Sequence, residues 1–180
     1  MSYDVRERLE GPTHEVIMDN LERNLESARK PQGSIILDLL LEADSFDEAV
    51  NGLKTRKMTS PGHFIVGGTS GNEGAIISRD EDNTVHTEVL SEDTWFIAMT
   101  NVDVWEQEDS RYENAVKYMG ELGQENVHPD GQLMIENVLW HEGVIQADSI
   151  FSAAISADKD TKEAIYDAPS HPTDFTLASE

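Results

Sequence analysis

The stretch at residues 63–90, HFIVGGTSGNEGAIISRDEDNTVHTEVL, decides the fold of this 180-residue chain. Three of its segments, HFIVGG, EGAIISRD and TVHTEVL, are short and rich in β-branched and aromatic residues, which is typical of strands. They are separated by TSGN and EDN, whose glycine, asparagine and aspartate residues favour turns. A fourth run, TWFIAMT at residues 94–100, follows after SED. The spacing therefore predicts an antiparallel meander of four strands.

The fourth predicted strand ends on residues that do not fit a buried strand. Every position from Trp95 to Met99 is apolar, as expected of a strand covered on both faces. Polar residues then follow without a turn signal, namely Asn101, Asp103 and, a few residues later, Arg111. This amide, carboxylate and guanidinium are candidates for a functional site.

Three helices are predicted before the meander. After a short strand within residues 1–9 and a break at Gly11-Pro12, Thr13 can cap a helix that begins at His14. Its apolar positions form one stripe, made of Val16, Ile17, Leu21 and Leu25. The segment SIILDLLLEA (34–43) is apolar on most sides and predicts a buried helix, although its periodicity also allows a strand. Ser45 and Glu48 form the capping box of a third helix.

Helices and a hairpin are predicted after the meander. SRYENAVKYMGEL (110–122) and GQLMIENVLWHEG (131–143) have helical periodicity. SIFSAAISAD (149–158) and KEAIYDA (162–168) predict a closing hairpin around residues 158–160. Together the elements predict one α+β domain over residues 1–167, with layered antiparallel sheets and helices, and a flexible tail at 168–180.

The charge balance limits which partners the chain can bind and indicates the kind of solution it works in. With 36 acidic and 13 basic residues the net charge is −23, so the surface repels nucleic acid and anionic membranes. Such an excess fits a salt-rich cytoplasm, because the Debye length falls to ~3 Å at molar salt and self-repulsion is screened. No apolar run is long enough for a transmembrane segment, and the charged start does not resemble a signal peptide. We therefore expect an acidic, halophile-type cytoplasmic protein.

The residue pattern predicts no cofactor and no metal. The absence of cysteine excludes disulfides, zinc thiolates and a cysteine nucleophile from these 180 residues. The six histidines, among them His63 and His86, are scattered without a metal-binding spacing. The glycines of residues 67–74 lack the lysine and the helix of a phosphate loop. The acidic run at residues 80–83 lacks the pattern of a calcium loop and predicts a solvated turn.

Four segments, in the same order along the chain, resemble the acid ceramidase and N-acylethanolamine-hydrolysing acid amidase family. FIVGGTSGNEGAIISRD (64–80) matches the family's Gly-Gly hairpin, and TNVDVW (100–105) matches its Thr-Asn-Tyr-Asp-x-Trp element. DSRYENA (109–115) stands where the family has Asp-Asp-Arg-Arg-Thr-x-Ala, and VLWHEGVIQADSIFSAAIS (138–156) matches a later helix end and strand. The resemblance covers residues 3–166, and TNVDVW is a fairly specific part of it.

The resemblance implies an N-terminal-nucleophile hydrolase fold with two stacked antiparallel sheets between helical layers. Enzymes of the family cleave amides with a cysteine exposed by self-cleavage, and Asn101 matches the asparagine that helps to form their oxyanion hole. Arg111 matches the active-site arginine, and Asp103 would orient such donors. Each residue also has a structural interpretation. Asn101 would end a strand, Arg111 would pair with Asp109 or Glu108, and Asp103 would be a structural carboxylate.

The chain also departs from the family pattern. The family's nucleophilic cysteine lies upstream of the region that this chain resembles, and Val102 and Tyr112 replace a tyrosine and an arginine. We therefore expect a homologue of linear-amide hydrolases that hydrolyses an N-acyl amide when complete, with this chain inactive alone. The alternative is a non-catalytic domain that binds an acyl ligand or a partner. Uncovered strand edges favour a homodimer or a complex with a nucleophile-bearing chain.

Overall fold

An antiparallel sheet organises the first part of the chain in the computed structural model, which describes residues 1–5, 13–106, 108–127, 131–147, 149, 151–155 and 164–167. Its four strands, in spatial order, are β1 (Ser2–Val5), β2 (Gly62–Gly67), β3 (Gly74–Arg79) and β4 (Thr84–Val89). The three strands predicted within residues 63–90 are confirmed, and the short N-terminal strand is confirmed over residues 2–5. The predicted break at Gly11-Pro12 lies outside the described residues.

Residues 94–100, expected to form the fourth strand of the meander, run instead as an irregular segment. A single bridge pairs Ser91 with Thr94 at its start, and the fourth strand of the sheet is β1, at the opposite edge beside β2. All residues from Trp95 to Met99 are half-buried. The prediction was wrong because an apolar run indicates burial, and an irregular segment that packs on other elements is buried as well as a strand is.

Two helices pack against one face of the sheet, namely α2 (Gln32–Glu42) and α3 (Phe46–Thr55). The predicted cap of α3 is confirmed. The hydroxyl of Ser45 accepts a hydrogen bond from the Glu48 backbone N–H at 3.2 Å, and the Glu48 carboxylate accepts one from the N–H of Asp44. The core between helices and sheet consists of Ile35, Ile36, Leu39, Ala49, Leu53, Met58, Phe64, Val66 and Ile77.

The outer sides of the first two helices keep apolar residues exposed. Helix α1 (His14–Glu26) begins where predicted, but Ile17 and Leu25 of its apolar stripe are 51% and 78% exposed. The segment 34–43 is helical, as predicted, but α2 is buried only along the side of Ile35 and Leu39. The expected burial of α2 on most sides was wrong, because the sheet covers one side and the leucines of the other side are exposed. These are Leu37, Leu40 and Leu41.

Arg79 connects β3 to the end of α3. Its side chain is fully buried, and its guanidinium donates hydrogen bonds to the carbonyl oxygens of Leu53 and of Arg56, the latter at 2.6 Å. These carbonyls belong to the C-terminal end of α3, where a cation is favourable. Burial lowers the pKa of Arg79, and the carboxylates of Asp82 and Asp80 oppose this shift. The guanidinium remains charged and serves as an internal C-terminal cap.

The contacts along the chain group its residues into two units, Met1–Gln107 and Glu108–Glu180. In the second unit, α4 (Ser110–Leu122) confirms the predicted helix, and α5 (Gln132–Met134) continues as a π-helical turn over Ile135–Leu139. The predicted helix over 131–143 therefore ends at Leu139. The single domain over 1–167 stays a prediction, and the predicted tail at 168–180 lies outside the described residues.

The closing hairpin is confirmed in the same unit. Strand β5 (Phe151–Ala154) pairs with β6 (Ala164–Asp167) in antiparallel register. The predicted turn at residues 158–160 lies outside the described residues. With helices and antiparallel sheets, the chain has the α+β class that the sequence predicts.

Candidate active site

The face of the sheet opposite α2 and α3 carries a row of polar side chains. In the register of the sheet, His63 on β2 lies opposite Ser78 on β3, and Ser78 lies opposite His86 on β4. Directly opposed residues share one face of a sheet, so these three side chains form a row across three strands. Phe64 and Ile77, their neighbours in sequence, belong to the helical core on the other face. We call His63, Ser78 and His86 the polar row.

The imidazole of His63 has polar partners near both ring nitrogens. Its Nδ1 lies 2.8 Å from the hydroxyl oxygen of Ser78, and its Nε2 lies 3.8 Å from Oδ1 of Asp103. His63 and Ser78 are 0% exposed, and Asp103 is 6% exposed. Because a carboxylate favours a proton on the nitrogen that faces it, we assign the hydrogen to Nε2. Nδ1 then accepts a hydrogen bond from the Ser78 hydroxyl group.

Trp105 packs on the polar row next to Asp103. Its indole stacks on the ring of His86, with centroids 4.3 Å apart and 15° between the planes. The same indole meets the ring of His63 edge-on, at 6.1 Å and 81°. The row is therefore in contact with two residues of one turn, residues 101–106, which we call the Asn101 turn.

The Asn101 turn is closed by hydrogen bonds of its own backbone. The N–H of Val104 donates to the carbonyl of Val102 at 3.0 Å, and the N–H of Glu106 donates to that of Asp103 at 2.8 Å. Asn101 is half-buried, and its side-chain amide forms no hydrogen bond with another residue that the structure describes. The turn thus holds Asn101 at a defined position, and within the described part of the chain no residue occupies its amide N–H groups.

Serine, histidine and aspartate in one line suggest a hydrolytic triad, but this geometry does not support one. A nucleophilic serine has to reach the carbonyl carbon of its substrate. Ser78 lies within β3, is fully buried, and uses its hydroxyl group to bind the Nδ1 atom of His63. The polar row therefore does not supply a nucleophile.

Arg111 lies in the first turn of α4, in the second unit, as the resemblance implies. Its backbone N–H donates to the capping carboxylate of Asp109 at 3.0 Å, and its Nε donates to the carbonyl oxygen of Val144 at 2.9 Å. Arg111 is half-buried, and its two Nη groups form no hydrogen bond or ion pair with another described residue. One edge of the guanidinium is thus fixed, and the other remains able to bind an anion.

The structure places the three predicted site residues in two separate settings. Asn101 and Asp103 belong to the same turn of the first unit, whereas Arg111 belongs to the second unit. The pairing of Arg111 with the carboxylates of Asp109 or Glu108 is not present in the described part of the chain, since Asp109 binds the backbone instead. The catalytic roles of Asn101, Arg111 and Asp103 stay predictions.

The sequence analysis missed the polar row. It treated His63 and His86 as scattered histidines, whereas the structure places both against Trp105. The signal lay in the strand register, because the predicted hairpins already bring His63, Ser78 and His86 side by side. Among the described residues, no group of histidine and acidic side chains is arranged to hold a metal ion. No helix among them has the length and apolar character to cross a membrane.

Comparison with known proteins finds similarity to amide hydrolases. No family model matches it. The chain is 32% identical over 111 residues to N-acylethanolamine-hydrolyzing acid amidase from Caenorhabditis elegans, an alignment that covers 60% of this chain and 31% of that protein. It is 29% identical over 137 residues to acid ceramidase from Rattus norvegicus, which covers 73% and 34% respectively. The chain thus spans about a third of the length of these relatives.

A solved structure shows that the likeness extends to the fold. The N-acylethanolamine-hydrolyzing acid amidase ortholog from Caenorhabditis elegans matches with a TM-score of 0.68 and 28% sequence identity. The match covers 84% of this chain and 63% of that chain. Both comparisons find proteins of the family that the four segments resemble in sequence. In sequence and in fold, the chain is therefore similar to a C-terminal portion of the acid ceramidase and N-acylethanolamine-hydrolysing acid amidase family, and it has the N-terminal-nucleophile hydrolase fold.

Proposed function

We propose that this chain supplies the oxyanion-stabilising part of an enzyme that hydrolyses N-acyl amides. The observation that carries the proposal is the Asn101 turn. Its backbone is closed by hydrogen bonds, and the amide of Asn101 has no bond to another described residue. A donor of this kind needs little reorganisation when negative charge develops near it, which makes it effective in catalysis.

The chemistry requires donors for the carbonyl oxygen. When a nucleophile attacks an amide carbon, the carbonyl oxygen becomes an oxyanion, and a neutral N–H stabilises it at about 2.7–3.1 Å. Asn101 offers such an N–H. In the second unit, Val144 holds the Nε of Arg111, so this guanidinium presents a fixed positive charge that can bind a carboxylate such as an acidic product.

The nucleophile comes from outside these 180 residues, since they contain no cysteine. On this proposal, a cysteine at the N-terminus of the same longer polypeptide, or of an associated chain, attacks the amide carbon. Its own α-amino group accepts the thiol proton and passes it to the nitrogen of the amide, so that the C–N bond breaks and the amine leaves; water then hydrolyses the thioester acyl-enzyme and releases the acid. Asn101 binds the oxyanion of both tetrahedral intermediates.

The substrate class follows from the relatives, whose names describe enzymes that act on N-acylethanolamines and ceramides. Both names denote amides of an acyl group with an amino alcohol. We therefore infer an N-acyl amide substrate for this protein.

The test starts with native mass spectrometry of the protein purified from its own host at high salt. We expect a polypeptide that begins with cysteine, either continuous with this chain or in stoichiometric complex with it. That preparation should hydrolyse a fluorogenic N-acyl amide, whereas the isolated 180-residue chain should not. Burst acylation of the isolated chain would show that the nucleophile lies within it. A homodimer or monomer without turnover would overturn the proposal in favour of an acyl-ligand binding domain.

A further inference from the structure

We propose that His63 is a positioning residue for Asn101, and that Ser78 fixes the orientation of its ring. The contacts run from the Ser78 hydroxyl group to Nδ1 of His63, and from Nε2 of His63 to the carboxylate of Asp103 in the Asn101 turn. The role of Asn101 itself rests on the proposed function. The contacts that position it lie within one unit of the molecule.

The complete burial of His63 and Ser78 indicates that these polar residues have a role beyond packing. His63 and Ser78 occupy interior strands of the sheet at 0% exposure, where an apolar β-branched pair would bury surface without any polar group to satisfy. A buried imidazole is tolerated only when its nitrogens have polar partners. One partner, Ser78, lies in the sheet itself at hydrogen-bond distance, and the carboxylate that faces the other nitrogen at 3.8 Å, beyond a direct hydrogen bond, is that of Asp103 in the Asn101 turn. The sheet therefore has a polar connection to the turn at this point.

The geometry explains why fixing His63 also fixes Asn101. Asp103 is two residues from Asn101, and its own carbonyl oxygen accepts the N–H of Glu106 that closes the turn. On the far side of the turn, Trp105 stacks on His86, the third member of the polar row. With contacts at Asp103 and at Trp105, the turn cannot rotate about either one alone. A donor displaced by about 1 Å can lose on the order of a hundredfold in rate, so this restraint matters for an oxyanion donor.

The main test compares Ser78→Ala with Ser60→Ala in the 180-residue chain. Ser60 is a matched control, because its partly buried hydroxyl group accepts a hydrogen bond from Gln32 at 2.6 Å elsewhere in the same unit. Ring-nitrogen NMR should show His63 as a single tautomer with hydrogen on Nε2. Ser78→Ala should replace that signature with a mixture of tautomers, whereas Ser60→Ala should leave it unchanged.

Hydrogen exchange then reports on the turn. Ser78→Ala should accelerate exchange at the backbone N–H groups of Val104 and Glu106 about tenfold, as loss of a typical buried hydrogen bond would. Exchange at core amides of β2 and β3 should change much less. Equal acceleration at the turn and in the core would mean only global destabilisation and would overturn the proposal. Unchanged exchange at Val104 and Glu106 would overturn it as well.

A second variant covers the case in which Ser78→Ala does not fold. Asp103→Asn keeps the volume of the side chain and removes the charge that faces Nε2 of His63. It should also replace the single tautomer of His63 with a mixture and accelerate hydrogen exchange in the turn. If Asp103→Asn leaves both readouts as in the wild type, His63 does not act through Asp103 and the proposal fails.

Measuring turnover distinguishes a failure of this proposal from a failure of the proposed function. In the cysteine-bearing enzyme, Ser78→Ala should lower kcat about tenfold with little change in KM, since the substrate contacts remain. Loss of binding with unchanged kcat would contradict a positioning role. If the native protein has no amidase activity, the proposed function fails, while the tautomer and the exchange rates still decide whether His63 positions the turn.

Discussion

The two faces of the four-stranded sheet bury different kinds of side chain, although these side chains come from neighbouring residues of the same strands. Phe64 and Ile77 lie in the core against α2 and α3, whereas His63 and Ser78, one position away, form the polar row. Both faces are buried at these positions. The comparison teaches that burial in this sheet serves stability on one face and the placement of a turn on the other. Substitutions on the two faces should therefore separate stability from activity.

The largest effect is expected on the helical face. Phe64→Ala should lower the free energy of unfolding by about 3–5 kcal/mol, because the ring is fully buried and leaves a cavity. Denaturant titration at constant high salt measures this loss. Ile65→Ala is the control one residue along the strand, on the opposite face, where the side chain is 38% exposed and should cost far less. Equal losses of unfolding free energy in Phe64→Ala and Ile65→Ala would contradict the difference between the two faces.

The next effect is expected in the Asn101 turn and should concern activity rather than stability. In the cysteine-bearing enzyme, Asn101→Ala should reduce kcat by about 10²–10³, the usual cost of one oxyanion donor. Its free energy of unfolding should stay within about 0.5 kcal/mol of the wild type. The control is Asn51→Ala on the exposed side of α3. A kcat that stays unchanged in Asn101→Ala would exclude it from the oxyanion hole.

A smaller loss should follow when the connection between sheet and helix is removed. Arg79→Met keeps much of the length of the side chain but leaves the carbonyl oxygens of Leu53 and Arg56 without their buried donor. We expect a loss of about 2–3 kcal/mol in the free energy of unfolding. Arg56→Met, which removes only partly exposed ion pairs with Asp38 and Glu42, should cost less than about 1 kcal/mol. If Arg56→Met destabilised the protein more than Arg79→Met in thermal unfolding, the capping role of Arg79 would be contradicted.

The smallest effect is expected at the turn after β3, away from both faces. The hydrogen bond from Arg29 holds the pKa of Asp82 below its ordinary value, with burial opposing and the charges of Arg29, Arg23 and Lys57 assisting. The folded state therefore favours the ionised carboxylate. This stabilisation is fully present above the unfolded pKa of about 3.9 and is lost as the pH falls through the lower folded value.

Because Asp82 is 36% exposed and salt screens its charge, Asp82→Asn should cost less than about 1 kcal/mol at pH 7. The difference between wild type and variant should begin to shrink below about pH 4 and disappear below the lower folded pKa, where the wild-type carboxyl is protonated in the folded state too. Unfolding titrations at several pH values and one salt concentration measure this. A difference that is constant from pH 7 to pH 2 would show that charge is not its cause.

The sequence predicted the elements whose signals are local. Ser45 and Glu48 marked the start of α3, and the TSGN turn, where Asn72 has a positive φ of 68°, marked the hairpin between β2 and β3. The element TNVDVW also identified the segment that contains Asn101 and Asp103. These signals are local because caps and tight turns are formed by residues a few positions apart.

The failures concern partners that are distant in sequence. Residues 94–100 were expected to form a strand beside β4, but they run as an irregular segment, and the fourth strand of the sheet is β1, which pairs with β2 at the opposite edge. The stripe of α1 predicts a buried face, yet Ile17 and Leu25 are exposed, because periodicity shows which residues lie together and not what covers them.

By itself the sequence determined the strands within residues 63–90, the helices that precede and follow them, and the resemblance that identifies the family. Only the tertiary structure decided that His63, Ser78 and His86 form one row, and that Asp103 and Trp105 pack on it. The physical reason is that the alternation of a strand specifies which residues share a face, whereas strand register and long-range packing specify which faces and side chains meet.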